Sequence, residues 1–335
     1  MGRGIWRILA GAVILALCLH GFWSLGILSA LAARLEPTET PGTEPPASEH
    51  PASAAPEPAG PREPPVPEPP EPTEPQEPPE PSAPAMAEDA GAADRLPRVD
   101  DRTRGYDLLS LLREGWSLTL PEEGPQVLIL HSHSTEAYTP EGEDVYEASD
   151  PGRTLDKSRN VVRVGDELAE VLEQAGFTVV HDRELYDWPS YNGAYTRSRA
   201  AAEAWLEQYP GIRVVIDLHR DALGGVKTEY RLPEGSCAQV MLVLTTGESG
   251  LYHPNWRENV KLGLELQQAM EEREPGLSRP MLLSPARYNE QLSPGYLLLE
   301  VGSDANTLQE ALEAVRRFGA CAAEVLGRHL TNPQG

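Results

Sequence analysis

Cysteine is scarce in this sequence, with three residues in 335 and no Cys-x-x-Cys pair. That excludes a disulfide framework and a cysteine-rich metal centre. Cys18 falls in an apolar run, while Cys237 and Cys321 stand alone, so all three read as small hydrophobes. Acidic side chains are missing from the first 35 positions, where Arg3, Arg7 and Arg34 are the charged groups. Charge of either sign is missing from Ile8 to Ala33, and only His20 there is strongly polar. Large apolar residues are almost missing between Glu36 and Pro97, which excludes a packed core in that stretch. Basic residues are the minority overall, 28 against 52 acidic, for a net charge of −24.

Each of the last three shortages has a structural meaning. At about 1.5 Å per helical residue, the uncharged run 8–33 is long enough to cross a bilayer. Arg3 and Arg7 precede it and acids follow, so the positive-inside bias places residues 1–7 in the cytoplasm and everything after Ala33 outside. Ala30-Leu31-Ala32 resembles a signal-peptidase motif, but the apolar run exceeds the ~7–15 residues of a signal peptide, which favours an uncleaved anchor. Residues 34–97 form a Pro/Glu-rich linker, holding 20 of the 33 prolines, that cannot offset its ordering entropy and stays disordered. Proline stiffens it toward polyproline II, with an upper reach on the order of 190 Å at ~3.1 Å per residue.

The first 35 residues carry +3 and residues 36–97 carry −12, which leaves −15 on residues 98–335. A domain this acidic lacks the positive face that phosphate contacts require, so nucleic acid is excluded as a partner. Its length suits one single-core domain.

Within 98–335, apolar runs alternate with helical periodicity. Strands are expected at 126–130, 177–180, 213–217, 239–245 and 296–300, and helices at 161–174, 198–208, 259–273 and 308–329. Gly176 should end the first of these helices and Pro210-Gly211 the second. This alternation predicts an α/β fold with a mainly parallel sheet flanked by helices.

In such sheets the site lies beyond the carboxyl ends of the strands. One expected strand runs into His131-Ser-His133-Ser-Thr-Glu136, a second into Asp217-Leu-His219-Arg-Asp221, and the last ends at Glu300. Two imidazoles and a carboxylate, His133, His219 and Glu136, are a zinc-ligand set with an open fourth position for water. A carboxylate that is not a ligand must move that water's proton to the leaving amine, and Glu300 is placed for it. His131 is the alternative to His133 as a ligand, and otherwise stands behind the site or faces substrate. Charge alone nominates Arg220 or Arg199 for a substrate carboxylate. His181, His253 and His329 lack such company and read as surface residues.

At these residues the sequence resembles the stage II sporulation protein P family, the membrane-anchored peptidoglycan amidases and endopeptidases of endospore-forming bacteria. The resemblance lies in HSHSTEAYTP (131–140), RNVVRVGDEL (159–168), HDRELYDWPSYNGAYTRS (181–198), VVIDLHRDA (214–222), HPNWRENVKLG (253–263) and LLLEVGSDANTLQEA (297–311). It implies an N-acetylmuramoyl-L-alanine amidase-like (phosphorylase/hydrolase-like) fold, one zinc ion, and cleavage of the muramoyl–alanine amide, with stem-peptide cross-links as a second target. Those amidases commonly take a glutamate ligand from the helix after the first strand. Here that stretch reads Ser158-Arg159-Asn160, which is why Glu136 is considered and why the third ligand stays open. The resemblance also implies a single-pass location in the cell membrane, with the domain in the intermembrane space during forespore engulfment. The partners it implies are peptidoglycan and stage II sporulation proteins D and M. A tethered metallocarboxypeptidase of stem peptides and a non-catalytic wall-binding scaffold are the alternatives.

Overall fold

The computed structural model describes residues 95–139, 152–233 and 235–331. The expected stub, the anchor and the linker up to residue 94 lie outside the described residues. No described helix is long and apolar enough to cross a membrane.

The elements in chain order are β1 (Val99–Asp101), α1 (Leu108–Glu114), β2 (Val127–Leu130), α2 (Val161–Gln174), β3 (Val179–His181), α3 (Ala194–Gln208) and β4 (Val214–Asp221). There follow β5 (Tyr230–Leu232), β6 (Gly235–Cys237), β7 (Val240–Thr245), α4 (Trp256–Arg273), β8 (Met281–Ser284), β9 (Gly295–Ser303) and α5 (Leu308–Gly327). Seven strands form one sheet in the order β1-β8-β7-β9-β4-β2-β3, and β5-β6 is a separate hairpin. Every neighbouring pair in the large sheet is parallel except β7–β9. The mainly parallel sheet is therefore as expected. The reversal at β9 has a consequence: β7 begins rather than ends beside the carboxyl end of β9, with Met241 opposite Glu300.

Local sequence explains the elements that frame the site. β2 is four fully buried apolar residues, the pattern of a central strand covered on both faces. Asn160 caps α2 by accepting from the Val162 N–H, and Gly176, at φ 97°, follows its end. A capping box between Thr307 and Glu310 starts α5. Helices α1, α2, α4 and α5 belong with the larger core, while α3 covers Leu128, Leu130, Val215 and Tyr296 on the opposite face. Cys237 and Cys321 are buried in the larger core, and burial raises both thiols to about 11, so they act as apolar filler.

At the far end of β7 a second polar group is buried. Thr245 donates its hydroxyl to Glu290, and His253 Nε2 lies 3.2 Å from the same hydroxyl. His253, expected at the surface, is thus packed inside the fold and falls to about 4 because burial disfavours its charge. Burial likewise pushes the fully buried Glu290 carboxyl up to about 8. Below pH 4.5 the acid is neutral whether folded or unfolded. As pH rises toward 8 only the unfolded chain ionises freely, so stability is lost. Glu290→Gln is expected to remove a decline on the order of 4 kcal/mol between about pH 4.5 and 8. Urea unfolding at pH 5 and pH 8 checks this, and equal pH slopes in the two proteins would refute it.

Candidate zinc-type hydrolytic site

Strands β2, β4 and β9 are adjacent and parallel, so their carboxyl ends open on the same edge. The β4–β9 register sets His219 beside Glu300, and the β2–β4 register sets Leu130 beside Asp217. Side chains two apart share a sheet face, so Asp217 and His219 line up with Glu300. The register slips after His219, and Gly302 adopts φ 69°, where a Cβ would come within 2.9 Å of the Ala238 side chain. Glycine therefore lets β9 bend directly after Glu300.

A tight turn after β2 brings in the remaining groups. Asp217 anchors it, accepting the Ser132 N–H at 2.8 Å and the Ser132 hydroxyl at 2.6 Å. Asp187 holds the turn three residues further on, accepting the Thr135 N–H at 3.1 Å and its hydroxyl at 2.7 Å. So constrained, Glu136 lies with Oε2 3.4 Å from His219 Nδ1, and the His133 ring is centred 5.4 Å from the His219 ring. His219 Nε2 meets Asp217 at 2.9 Å.

The electrostatics follow from burial and these contacts. Burial opposes charge on His219, but Asp217 and Glu136 outweigh it and hold its pKa well above the usual value. Burial pushes Glu136 up, yet His219 chiefly, with Arg220 and His133, brings it to about 2. Burial, then the charge on His219, pulls His133 down to about 4. Burial of the Glu300 carboxyl, helped by Asp221 and Glu136 against His219, raises it to about 8. Glu300 is partly exposed as a residue, but its Oε2 is shielded and has no hydrogen-bond partner.

A divalent cation fits part of this arrangement as it stands. Ligands about 2.0–2.1 Å from a tetrahedral zinc lie roughly 3.3 Å apart, close to the Glu136–His219 spacing. Asp217 on the other nitrogen of His219 supplies the carboxylate that fixes a ligand histidine's tautomer. The His133 Nδ1 is buried without a partner, an orphan that a metal would satisfy. Among the described residues no group of three or more His, Cys, Asp or Glu side chains is already arranged to hold a metal ion.

The other expected site residues are placed differently. His131 points away from His219: its Nδ1 lies 2.8 Å from the Leu218 carbonyl and its Nε2 2.9 Å from His181 Nε2. Both of its nitrogens are engaged in these contacts, and burial pulls it to about 3. His181, expected at the surface, is largely buried between His131 and Asp166, which it meets at 3.0 Å. Gly165 of α2 makes room for the pair, since a Cβ there would approach both rings within 2.7 Å. His329 is also not free at the surface, because its Nε2 contacts Glu265 at 2.9 Å. The guanidinium of Arg220 bonds the carbonyls of Ala137 at 3.0 Å and Gly152 at 2.7 Å, while the Arg220 backbone N–H donates to Glu136 at 3.2 Å. These bonds tie Arg220 to the backbone that frames Glu136. Arg199 is exposed and pairs along α3 with Glu203 at 2.8 Å.

Four further residues reach the site. Asp217 is the anchor already described. Tyr191 stacks on His133 at 4.5 Å with an interplanar angle of 7°, its hydroxyl 3.2 Å from His133 Nε2. Arg153 lies 4.8 Å from the centre of the Tyr191 ring, 3.6 Å from Glu136 and 2.6 Å from Asp187. Asp217 stood beside a nominated ligand in the sequence. Tyr191 and Asp187 fell within a segment of family resemblance but carried no chemical signal, and Arg153 had none.

A family model described as Stage II sporulation protein P (SpoIIP) matches residues 63–323. The stage II sporulation protein P of Bacillus subtilis (strain 168) is 31% identical over 212 residues, covering 59% of this chain and 49% of the relative. The chain thus spans about half the length of that curated relative. Among solved structures, the amidase AmiC2 of Nostoc punctiforme is similar over 62% of this chain and 97% of its own, at 11% identity and TM-score 0.36. The CwlD amidase from Clostridioides difficile, solved in complex with the GerS lipoprotein, is similar over 61% and 98%, at 11% identity and TM-score 0.38.

Proposed function

Since this chain belongs to the stage II sporulation protein P family, we propose that it is a zinc-dependent peptidoglycan hydrolase cleaving the amide between N-acetylmuramic acid and L-alanine. The observation that carries this reading is Glu300, its Oε2 without a partner, lying alongside a His219 already at ligand spacing from Glu136. The fold is read as amidase-like, of the phosphorylase/hydrolase-like type. Stem-peptide cross-links are a second target at the same site.

His133, Glu136 and His219 would hold the ion. When bound, it supplies Lewis acidity at the scissile carbonyl and acidifies a water. The protein's own groups supply the remainder. Asp217 keeps the Nε2 proton of His219 in place, leaving Nδ1 to face Glu136. The Arg220 N–H orients the Glu136 carboxylate. Glu300 takes a proton from the attacking water at Oε2 and delivers it to the departing alanine nitrogen. Burial, with Asp221 and Glu136 beside it, holds the Glu300 carboxyl at about 8, close enough to neutral for it both to gain and to give up a proton.

In the same reading, Ile8–Ala33 anchors the chain in the membrane with the domain outside, and the linker lets it reach the wall. The setting is forespore engulfment, with stage II sporulation proteins D and M as partners. The test is digestion of purified peptidoglycan by the full-length protein, with and without a chelator, followed by mass spectrometry. Whole stem peptides beginning at L-alanine are expected, and only without chelator. Release of single amino acids instead would establish a carboxypeptidase, and no release at all would contradict hydrolysis.

A further inference from the structure

The loop between β3 and α3 combines a fixed backbone with exposed aromatic rings. Arg197 binds it from within α3: its Nε donates to the Tyr186 carbonyl at 2.6 Å, its Nη1 to the Asn192 carbonyl at 3.1 Å, and its Nη2 to the Ser190 carbonyl. The Tyr186 N–H donates to Ser134 at 2.8 Å, and the Tyr186 hydroxyl to Asp182 at 2.7 Å. Asp187 is tied to Thr135 and Arg153. From this braced segment Trp188 and Tyr191 project with 55% and 53% of their surfaces exposed.

Exposed aromatics on a rigid loop mark a binding surface, because large apolar area is presented with its conformational entropy already lost. The location narrows the ligand. Tyr191 stacks on His133, so the loop forms one wall of the hydrolytic site. Arg153, 4.8 Å from the centre of the Tyr191 ring, is held by Asp187 at 2.6 Å and faces Glu136 at 3.6 Å, so its charge is largely compensated and does not favour an anion there. A neutral ring with polarised C–H groups on one face suits it, since an aromatic face carries negative charge density. We propose that Trp188, with Tyr191 as the inner wall, forms a stacking subsite for a pyranose ring of the glycan strand, on the sugar side of the scissile amide. This rests on the muramoyl–alanine reading and names the part of that substrate which the loop recognises.

The experiment uses full-length protein in detergent carrying Glu300→Gln to suppress turnover. Isothermal titration calorimetry compares a disaccharide–pentapeptide muropeptide with the free pentapeptide. The disaccharide-bearing probe should bind about tenfold tighter than the peptide, and Trp188→Ala should abolish that difference while Trp188→Phe keeps most of it. Circular dichroism verifies that the variants are folded, as expected for an exposed side chain. An affinity for the disaccharide-bearing probe within twofold of the parent in the Trp188→Ala protein would overturn the subsite. Failure of the functional reading looks different: the probe binds through Trp188, but protein with Glu300 intact releases no stem peptide.

Discussion

Glu300→Gln should lower the turnover of the muramoyl–alanine amide by about a thousandfold, with little change in KM. The size follows from the role, because the amide side chain has the shape of the carboxyl group but cannot take a proton from water. The site needs such a group. Among the residues gathered there, Asp217 is occupied by His219 and Ser132, and Glu136 by His219 and the Arg220 N–H. Of these three carboxylates, Glu300 is the one with an oxygen, Oε2, that is both hidden from solvent and without a partner. The substitution should not unfold the protein, since it removes a group that burial already makes costly to ionise. Stopped assays on purified peptidoglycan, with unfolding midpoints measured in parallel, check both halves. Activity within tenfold of the parent would remove Glu300 from the chemistry.

His219→Ala should have an effect of similar size by a different route. His219 lies between two buried carboxylates, at 2.9 Å from Asp217 and 3.4 Å from Glu136. Its removal takes away a proposed ligand and leaves two acids facing one another without the imidazole between them. Breaking a buried pair in this way costs about 3–5 kcal/mol. The variant should therefore lose stability as well as zinc, with affinity for the ion falling at least about a hundredfold. Competition with a zinc-binding dye and urea unfolding report the two effects separately. Zinc retained at parental affinity would show that His219 is no ligand.

How far these residues could be read from the sequence depends on where their signals lie. Helix α2 was legible to its bounds, because its apolar residues recur at helical spacing and Gly176 ends it. Strand β4 was expected to stop at Asp217, since His-Arg-Asp reads as a loop. It continues to Asp221 because each of those polar groups finds a partner inside the fold: Asp217 and Glu136 for His219, backbone carbonyls for Arg220. Strands β1 and β8 were not anticipated, and both are short segments on the outer side of the sheet. The groups nominated for the site follow apolar runs, so their convergence at one sheet edge follows from the fold class. His181 was expected at the surface because nothing local indicates that Gly165 opens a space for it and His131 under α2. Tyr191 meets His133 across 58 residues and Asp187 meets Thr135 across 52, contacts that only the tertiary fold creates.

The proposed hydrolysis depends on one divalent cation held among His133, Glu136 and His219 with Glu300 beside it. The most direct measurement is an anomalous difference map at the zinc edge, from crystals of the protein grown with zinc. A single peak about 2.0–2.2 Å from the three side chains, with Glu300 near it but not bound, is the expected result. A map with no peak at this edge of the sheet, from protein that still releases stem peptides, would contradict it.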